Sequence, residues 1–129
     1  ILKTEIQNWQ SRKDLEGRAQ AHAPERSYAL GLKWLPITNT YLTIDFTGKT
    51  SFYYSDSHNN ISKSYTLTNL NLGYFKNKWN YEFWVRNLFD EYYALRGFYF
   101  GNEAPNFIDT LYERHGDPRH IGISVRYDF

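Results

Sequence analysis

The amino-acid sequence predicts an all-β fold: an antiparallel up-and-down meander of about six strands that forms part of a transmembrane β-barrel. Three observations predict it. Apolar and polar residues alternate over most of the 129-residue chain, as in strands with one apolar and one polar face. The longest alternating run reaches the roughly 9–11 residues that a tilted strand needs to cross a bilayer. Short and long connections also alternate along the chain, as the turns and loops of membrane barrels do.

The predicted strands follow this alternation in chain order. The longest run, TYLTIDFTGKTSFYY, places Leu42, Ile44 and Phe46 on one face and Thr43 and Asp45 on the other. The first strand is the weakest example. The six predicted strands cover residues 1–9, 27–34, 41–54, 66–74, 79–86 and 120–129.

The connections between these strands are uneven in length. The links around Pro36 and at residues 76–78 are short enough to be tight turns. Residues 10–26, 55–63 and 94–119 are long and are predicted to be loops at the opposite rim.

The last predicted strand, HIGISVRYDF, alternates up to its final residue. Terminal residues of soluble domains usually fray, so a full alternation at this point predicts that the strand is held in a sheet. Its apolar members are Ile121, Ile123, Val125, Tyr127 and Phe129.

Composition limits the possible function classes. The net charge of +1 gives no reason to expect a nucleic-acid partner. The chain has no cysteine, which excludes disulfides and thiolate metal sites. No apolar run approaches the roughly 18 residues of a membrane helix, which argues against a helical membrane protein. Because the first residue is not methionine, we expect the segment to belong to a longer chain with any export signal upstream.

The polar faces of the predicted strands carry charges that would cost about 2–4 kcal/mol each at the bilayer midplane, so we expect them to face a lumen. Aromatic residues cluster towards both predicted rims, as in the two interfacial girdles of membrane proteins. We expect Tyr74 opposite Trp79 and Glu82 opposite Arg126, with a slip of two residues left open. The predicted lumen residues are Asp45, Lys49, Asn69, Asn71, Glu82, Arg86, Arg126 and Asp128.

Four stretches resemble a known family. They are NLFDEYY at 87–93, RGFYFGNEAP at 96–105, YERHGDPRHIG at 112–122 and the terminal RYDF. Together they resemble the C-terminal end of a TonB-dependent outer-membrane receptor. Weaker similarity extends over LEGRAQAHAP and the tyrosine-rich strand at 41–54. The family's barrel has 22 strands, so the resemblance implies that the six predicted strands are its last six.

The resemblance also implies a function: uptake of a scarce nutrient, foremost a ferric siderophore or similar iron complex, across the outer membrane of a Gram-negative bacterium. It also implies that the outer-membrane assembly machinery recognises the last strand through its apolar residues Ile121, Ile123, Val125, Tyr127 and Phe129. Outer-membrane lipid would cover the apolar face. The plug domain and the segment that contacts the TonB complex would lie in an N-terminal region outside this stretch.

Ligand contacts are expected in the three long loops. The candidates are Arg96, Phe98, Phe100, Arg114 and His115. Planar guanidinium groups suit the oxygens of an anionic ferric complex. The structural alternative, which we favour for the aromatics, is a folded loop that buries Phe98 and Phe100. For the arginines, the alternative is pairing with neighbouring acids.

Metal and catalytic sites are not expected. His58 follows Asp56 by two residues and His115 follows Glu113 by two, but two ligands without a third rarely hold a metal. The run from Ser55 to His58 contains hydrolase residue types, although adjacency in sequence is no argument for a triad. We therefore expect no enzyme activity and no cofactor. In GDPR, we expect Asp117 to accept backbone N–H groups and Pro118 to set the bend.

Two other architectures are alternatives to the barrel segment. A soluble β-sandwich carbohydrate-binding module would bury its apolar faces against each other and stay monomeric without detergent. A complete small barrel is disfavoured because about 8 strands are the minimum. The barrel interpretation requires that Leu42, Ile44, Phe83 and Val125 are not enclosed in one compact core. It also predicts that the isolated segment self-associates through unpaired edges at 1–9 and 120–129.

Overall fold

The computed structural model describes residues 1–7 and 15–129. The described chain is all-β, with antiparallel strands in two sheets. Within this part of the chain, no helix has the length and apolar character needed to cross a membrane. The strands are β1 (Ser27–Trp34), β2 (Thr40–Lys49), β3 (Tyr65–Lys76), β4 (Trp79–Arg86), β5 (Ala94–Phe100), β6 (Thr110–His115) and β7 (His120–Tyr127).

The strand order is β1-β2-β3-β4-β7 in one sheet, and β5 pairs with β6 in the other. The predicted meander order is therefore confirmed for the five-stranded sheet. The hairpin β5–β6 was missed: it lies inside the predicted loop 94–119. Its sequences ALRGFYF and TLYERH do not alternate between apolar and polar residues, so the period-two signal was absent there.

Several predicted strand bounds are wrong. β7 ends at Tyr127, two residues before the predicted end at Phe129, and β3 runs from Tyr65 to Lys76 instead of 66–74. Residues 1–7 are not a strand, and residues 8 and 9 of the predicted first strand lie outside the described residues. The first edge of the sheet is consequently β1 rather than residues 1–9. β2 ends at Lys49 instead of continuing to Tyr54. Thr50 N–H still donates to the Arg26 carbonyl at 2.9 Å, but Arg26 N–H donates to the Thr50 side chain, Oγ1, at 3.1 Å, so a side-chain oxygen takes the place of a ladder carbonyl there.

The chain divides into two compact units. We call the first the loop unit; it comprises Ile1–Ser27, Lys49–Tyr65 and Tyr92–Gly116. We call the second the sheet unit; it comprises Tyr28–Gly48, Thr66–Glu91 and Asp117–Phe129.

The register within the sheet unit differs from the prediction by two residues on both hairpins. Tyr74 lies opposite Tyr81, and Trp79 lies opposite Lys76, because the turn contains only two residues. Asn77 adopts φ 56°, the left-handed conformation that two-residue hairpin turns require. On the last pair, Glu82 lies opposite Ser124 and Arg126 opposite Asn80.

This register aligns apolar side chains in rows across three strands. Leu72, Phe83 and Ile123 form one row, and cross-strand neighbours share a face of the sheet. The apolar face remains largely uncovered. Its large exposed side chains in the sheet unit include Tyr28, Leu30, Leu32, Trp34, Leu72, Tyr74, Trp79, Tyr81, Phe83, Ile121, Ile123, Val125 and Tyr127.

The opposite face of the sheet unit is polar. Glu82 lies beside Ser124, and Asn71 donates to Thr43 Oγ1 at 3.0 Å. Two glycines on this face leave space that aromatic rings occupy: Tyr41 lies over Gly73, and Trp84 lies over Gly122. The division into one apolar and one polar face is therefore as the alternation predicts.

Few apolar side chains are buried in the described residues. The buried ones are Leu15, Phe52, Tyr54 and Val85. Leu42 and Ile44 are half-buried, while Phe83 is 39% and Val125 55% exposed. The arrangement that would contradict the barrel interpretation, with these four side chains enclosed together, is not observed.

The motif NLFD ends β4 and ties it to the start of β7. The buried Asn87 donates through Nδ2 to the carbonyls of Glu91 (2.9 Å) and Asp117 (3.1 Å), and its Oδ1 accepts from Glu91 N–H (2.8 Å). Asp90 Oδ1 accepts from Arg119 N–H at 2.8 Å. The expectation that the Asp117 side chain accepts backbone N–H groups in the GDPR segment is therefore wrong. The Asp90 side chain is the acceptor, and Asp117 contributes only its backbone carbonyl, to Asn87.

We expect Asn87→Ala to destabilise the sheet unit by about 2–4 kcal/mol, since three side-chain hydrogen bonds of about 0.5–1.5 kcal/mol each are lost. Asn87 has φ 50°, a conformation that strains alanine but not glycine. Asn87→Gly therefore measures the loss of the hydrogen bonds without added backbone strain. Thermal unfolding and amide exchange of β7 measure the effect. The exposed Asn102→Ala is the control, and equal stability of all three variants would refute the role.

Candidate functional site

The loop unit brings together the described parts of all three predicted long loops. Ala21 N–H donates to Asp56 Oδ1 at 2.7 Å, and His22 N–H donates to the Tyr53 carbonyl at 2.8 Å. The Arg18 guanidinium lies 4.0 Å from the centre of the Tyr53 ring and donates to the His58 carbonyl. These contacts connect segments that are more than 30 residues apart in the sequence. The arrangement of the loops is therefore fixed by tertiary contacts.

The hairpin β5–β6 presents one exposed face. Arg96 pairs with Arg114, and Phe98 pairs with Tyr112, so these four side chains share a face with Phe100. Phe98 is 45% and Phe100 50% exposed. The structural alternative is met only in part: the segment is folded and the Phe98 ring centre lies 5.4 Å from that of His22 in the first loop, but both phenylalanine rings stay about half exposed. Four of the five candidate residues lie on this surface, which we call the arginine-aromatic face.

Two like charges lie opposite each other on this face. The guanidinium groups of Arg96 and Arg114 occupy a directly opposed pair, an arrangement that destabilises a hairpin. Among the described residues, neither forms an ion pair with a carboxylate. Pairing with neighbouring acids, the alternative considered from sequence, is therefore not observed.

The other face of the hairpin packs on residues 52–58. Tyr99 stacks on His58, with ring centres 3.6 Å apart and 6° between the planes. The Tyr54 hydroxyl donates to the Glu113 carboxylate. Burial, followed by this hydrogen bond, raises the pKa of Tyr54, so the hydroxyl stays protonated as a donor. Gly97 leaves the space that the Tyr54 ring fills, because an added Cβ would lie 2.6 Å from it.

His115, the fifth candidate, lies apart from the arginine-aromatic face. A register shift between Ala94 and Arg96 places it opposite Ala94. Its ring stacks on Tyr92 with centres 4.3 Å apart, and its Nε2 lies 3.6 Å from Glu113 Oε2. The structure therefore separates His115 from the other candidates.

The two expected half-sites for a metal are arranged differently. His115 lies beside Glu113, as the sequence spacing predicts. His58 does not lie beside Asp56: its Nε2 lies 3.5 Å from Asp109 Oδ2, and the Asp56 carboxylate accepts a hydrogen bond from Ala21 N–H. Within the described ranges, no group of three or more histidine, cysteine or acidic side chains could hold a metal. Neither pair is fully solvated, since both histidine side chains are 29% exposed.

A cavity of about 230 Å³ lies elsewhere in the loop unit, and sequence reasoning missed it. Tyr54, Tyr65, Tyr92 and Tyr93 contribute its aromatic lining. Glu113, His115 and Lys63 contribute its polar groups. The adjacent pair Tyr92-Tyr93 is the only local signal, because the other groups come from distant segments.

Comparison with known proteins adds no family assignment: no family profile matches the chain, and no solved structure matches it.

His22 connects the first loop to the arginine-aromatic face. Its ring centre lies 5.6 Å from that of Phe52 and 5.4 Å from that of Phe98. Its Nδ1 is buried and has no hydrogen-bond partner among the described residues. Burial, followed by the positive charges of Arg96 and Lys49, lowers the pKa of His22, and Asp56 opposes this more weakly.

We expect the loop unit to lose stability as the pH falls below about 6.5. There the unfolded chain protonates His22 at its ordinary pKa of 6.5, whereas the folded unit keeps the pKa lower. The loss continues down to the folded pKa and then levels off. Amide exchange of His22 and Tyr54 across this range measures it. His22→Asn, which tolerates the local φ of 56°, should show a flatter profile, while His120→Asn should keep the wild-type slope. An unchanged slope in His22→Asn would contradict the assignment.

Proposed function

We propose that the chain is the C-terminal barrel segment of a TonB-dependent outer-membrane transporter that takes up a ferric siderophore or a similar iron complex. The observation that carries the proposal is the uncovered apolar face of the sheet unit, opposite a polar face. The resemblance of the NLFD, RGFYFGNE and GDPR stretches supports the same family. TonB itself would bind a region outside this stretch.

The energetics favour hydrocarbon as the cover of the apolar face. A large apolar side chain gains about 1.5–3 kcal/mol when it is fully removed from water. Contiguous apolar patches beyond a few hundred Å² are rare on soluble monomers and mark protein or membrane contacts. The rows on β3, β4 and β7 run side by side, so their exposed members form one continuous surface. Outer-membrane lipid would cover all of it.

The lengths of two strands and the sheet order support a membrane location. β2 has 10 residues and β3 has 12, which meets the roughly 9–11 residues needed for a tilted span, whereas β1, β4 and β7 have 8 each. β1 and β7 are at the two ends of the sheet order. In the proposed barrel, neighbouring strands would pair with both edges, and the assembly machinery would recognise β7 through Ile121, Ile123, Val125, Tyr127 and Phe129. Without such neighbours, the segment would self-associate.

The arginine-aromatic face supports an anionic, partly aromatic ligand. Guanidinium groups bind carboxylate and phenolate oxygens in a fixed planar geometry, and exposed rings offer apolar contact. Ferric complexes of carboxylate or catecholate ligands combine these features. We therefore place their contacts at Arg96, Phe98, Phe100 and Arg114.

The rival proposal is a soluble β-sandwich carbohydrate-binding module. It would require a second protein layer over the apolar face. The four buried apolar side chains of the described residues offer little support for such a layer. Behaviour in detergent-free solution distinguishes the two functions.

We expect Ile123→Cys and Ser124→Cys to report different solvents in the protein expressed from its natural reading frame. The residues are adjacent in β7 and point to opposite faces, and this chain has no other cysteine. A fluorophore at position 123 should emit at shorter wavelength and be quenched by nitroxide-labelled lipid. A fluorophore at position 124 should escape lipid quenching and react readily with a charged, water-soluble thiol reagent.

Equal lipid quenching at both positions would contradict the proposed faces. Absence of quenching at both, with the protein in the soluble fraction as a monomer, would favour the sandwich.

We expect Arg96→Gln and Arg114→Gln each to weaken uptake of an anionic ferric complex by about tenfold or more, because a hydrogen bond to a charged group contributes about 1.5–3 kcal/mol. Iron-starved cells supplied with radiolabelled ferric citrate, ferric catecholate or ferric hydroxamate provide the measurement. The control is Arg26→Gln, since Arg26 is exposed and already pairs with Glu25 at 3.6 Å. Equal uptake by all variants would remove the arginines from the site.

A further inference from the structure

The tyrosine-lined cavity of the loop unit is separate from the arginine-aromatic face in its chemistry. The buried Tyr54 and the partly exposed Glu113 both line it and are joined by a hydrogen bond. Tyr65 and Tyr93 also line it, with ring centres 4.5 Å apart. Tyr92, which is stacked on His115 and 75% exposed, contributes a fourth ring. The cavity thus has several ring faces and a few polar groups, the usual composition of a small-molecule site.

The size of the cavity limits its occupant. Its volume of about 230 Å³ is below the roughly 300–1,000 Å³ of sites for drug-sized ligands. A single six-membered ring with its substituents is the appropriate scale. Because the cavity is partly open, such a ring could also be the end of a longer molecule.

Its charges argue against a cationic occupant. The Lys63 side chain lines the cavity, and the Lys49 ammonium already lies 5.4 Å from the centre of the Tyr65 ring. Glu113 is the one carboxylate of the lining, and it is already engaged by the Tyr54 hydroxyl and by His115. A cation would therefore meet the Lys63 ammonium in the lining, a second ammonium near the Tyr65 ring, and a carboxylate whose charge is partly satisfied.

An anionic occupant is disfavoured by the position of Glu113 in the lining. A neutral polyhydroxylated ring fits both signs: its hydroxyls donate to the Glu113 carboxylate and accept from Lys63 and the tyrosine hydroxyls. Its C–H face packs on the tyrosine rings, which combine an apolar body with a polar tip. Free hexoses and the terminal residues of glycans share this chemistry.

We propose that the cavity between Tyr54, Tyr65, Tyr92, Tyr93 and Glu113 binds one neutral sugar residue. This site is independent of the proposed iron uptake and of the membrane location. Tyr92 contributes the outer stacking surface, and Glu113 contributes the acceptor that orients the hydroxyls.

The test titrates the full chain with D-glucose, D-galactose and N-acetyl-D-glucosamine while tyrosine ring signals are followed by NMR. Each sugar is also supplied as its methyl glycoside, which mimics the end of a glycan. Saturable shifts of Tyr65, Tyr92 or Tyr93 by at least one sugar are expected. Binding only of the glycosides identifies a glycan terminus, and binding only of the free sugars identifies a hexose.

Two variants and two controls locate the site. Glu113→Gln and Tyr92→Ala should each weaken binding at least tenfold, which corresponds to about 1.4 kcal/mol. The matched controls are Glu103→Gln and Tyr112→Ala, because Glu103 accepts from the Tyr112 hydroxyl at 2.9 Å in the same hairpin but outside the cavity. If Glu113→Gln unfolds, Tyr92→Ala decides alone, since Tyr92 is exposed.

Three outcomes overturn the proposal. The first is the absence of saturation by any sugar below about 100 mM, two orders of magnitude weaker than a millimolar Kd. The second is equal weakening by the control variants, which would move binding to the arginine-aromatic face. The third is preferential binding of tetramethylammonium or acetate, each included as a competitor, which would replace a neutral ligand with a charged one. None of these bears on the cysteine-labelling result.

Discussion

The cross-strand register of β3, β4 and β7 is the constraint on which the sheet unit depends. It places Leu72, Phe83 and Ile123 in one row and keeps Glu82 and Ser124 on the reverse side. A shift by one residue would mix the two faces completely, because side chains alternate with a period of two. The two faces of the sheet therefore need two different environments. Water on the apolar face would leave a large apolar area exposed.

The alternation of apolar and polar residues predicted those features that each strand determines by itself. The apolar and polar faces of β2, β3, β4 and β7 follow from the period of two, and the uneven connections predicted their order in the sheet. The register of β3 against β4 depends on the turn at Asn77, whose left-handed conformation shortens the turn to two residues and shifts the pairing by two. Residues 1–7 were assigned to a strand on a weak alternation, but their backbone groups bond to Arg18 and Glu25 without forming a ladder. The hairpin β5–β6 was missed because neither of its strands alternates between apolar and polar residues.

The candidate site was predictable as residue types but not as geometry. Arg96, Phe98, Phe100 and Arg114 come together because β5 and β6 pair, while the register shift near Ala94 turns His115 elsewhere. The hydrogen-bonding roles of Asp90 and Asn87 were also not predicted. Asparagine and aspartate are common in loops, and only the hydrogen bonds to the carbonyls of Glu91 and Asp117 show the role of Asn87. The tyrosine-lined cavity depends entirely on such long-range placement.

The hairpin β5–β6 forms its own ladder, and no strand of the five-stranded sheet pairs with it. Insertions or exchanges between Phe100 and Thr110 can therefore alter the tip of this hairpin without displacing any ladder hydrogen bond of the larger sheet. A single added residue at Asn77 would instead misalign two long strands at once. Over evolutionary time, descendants of this chain should diversify at the hairpin tip while the length of the short turn stays the same.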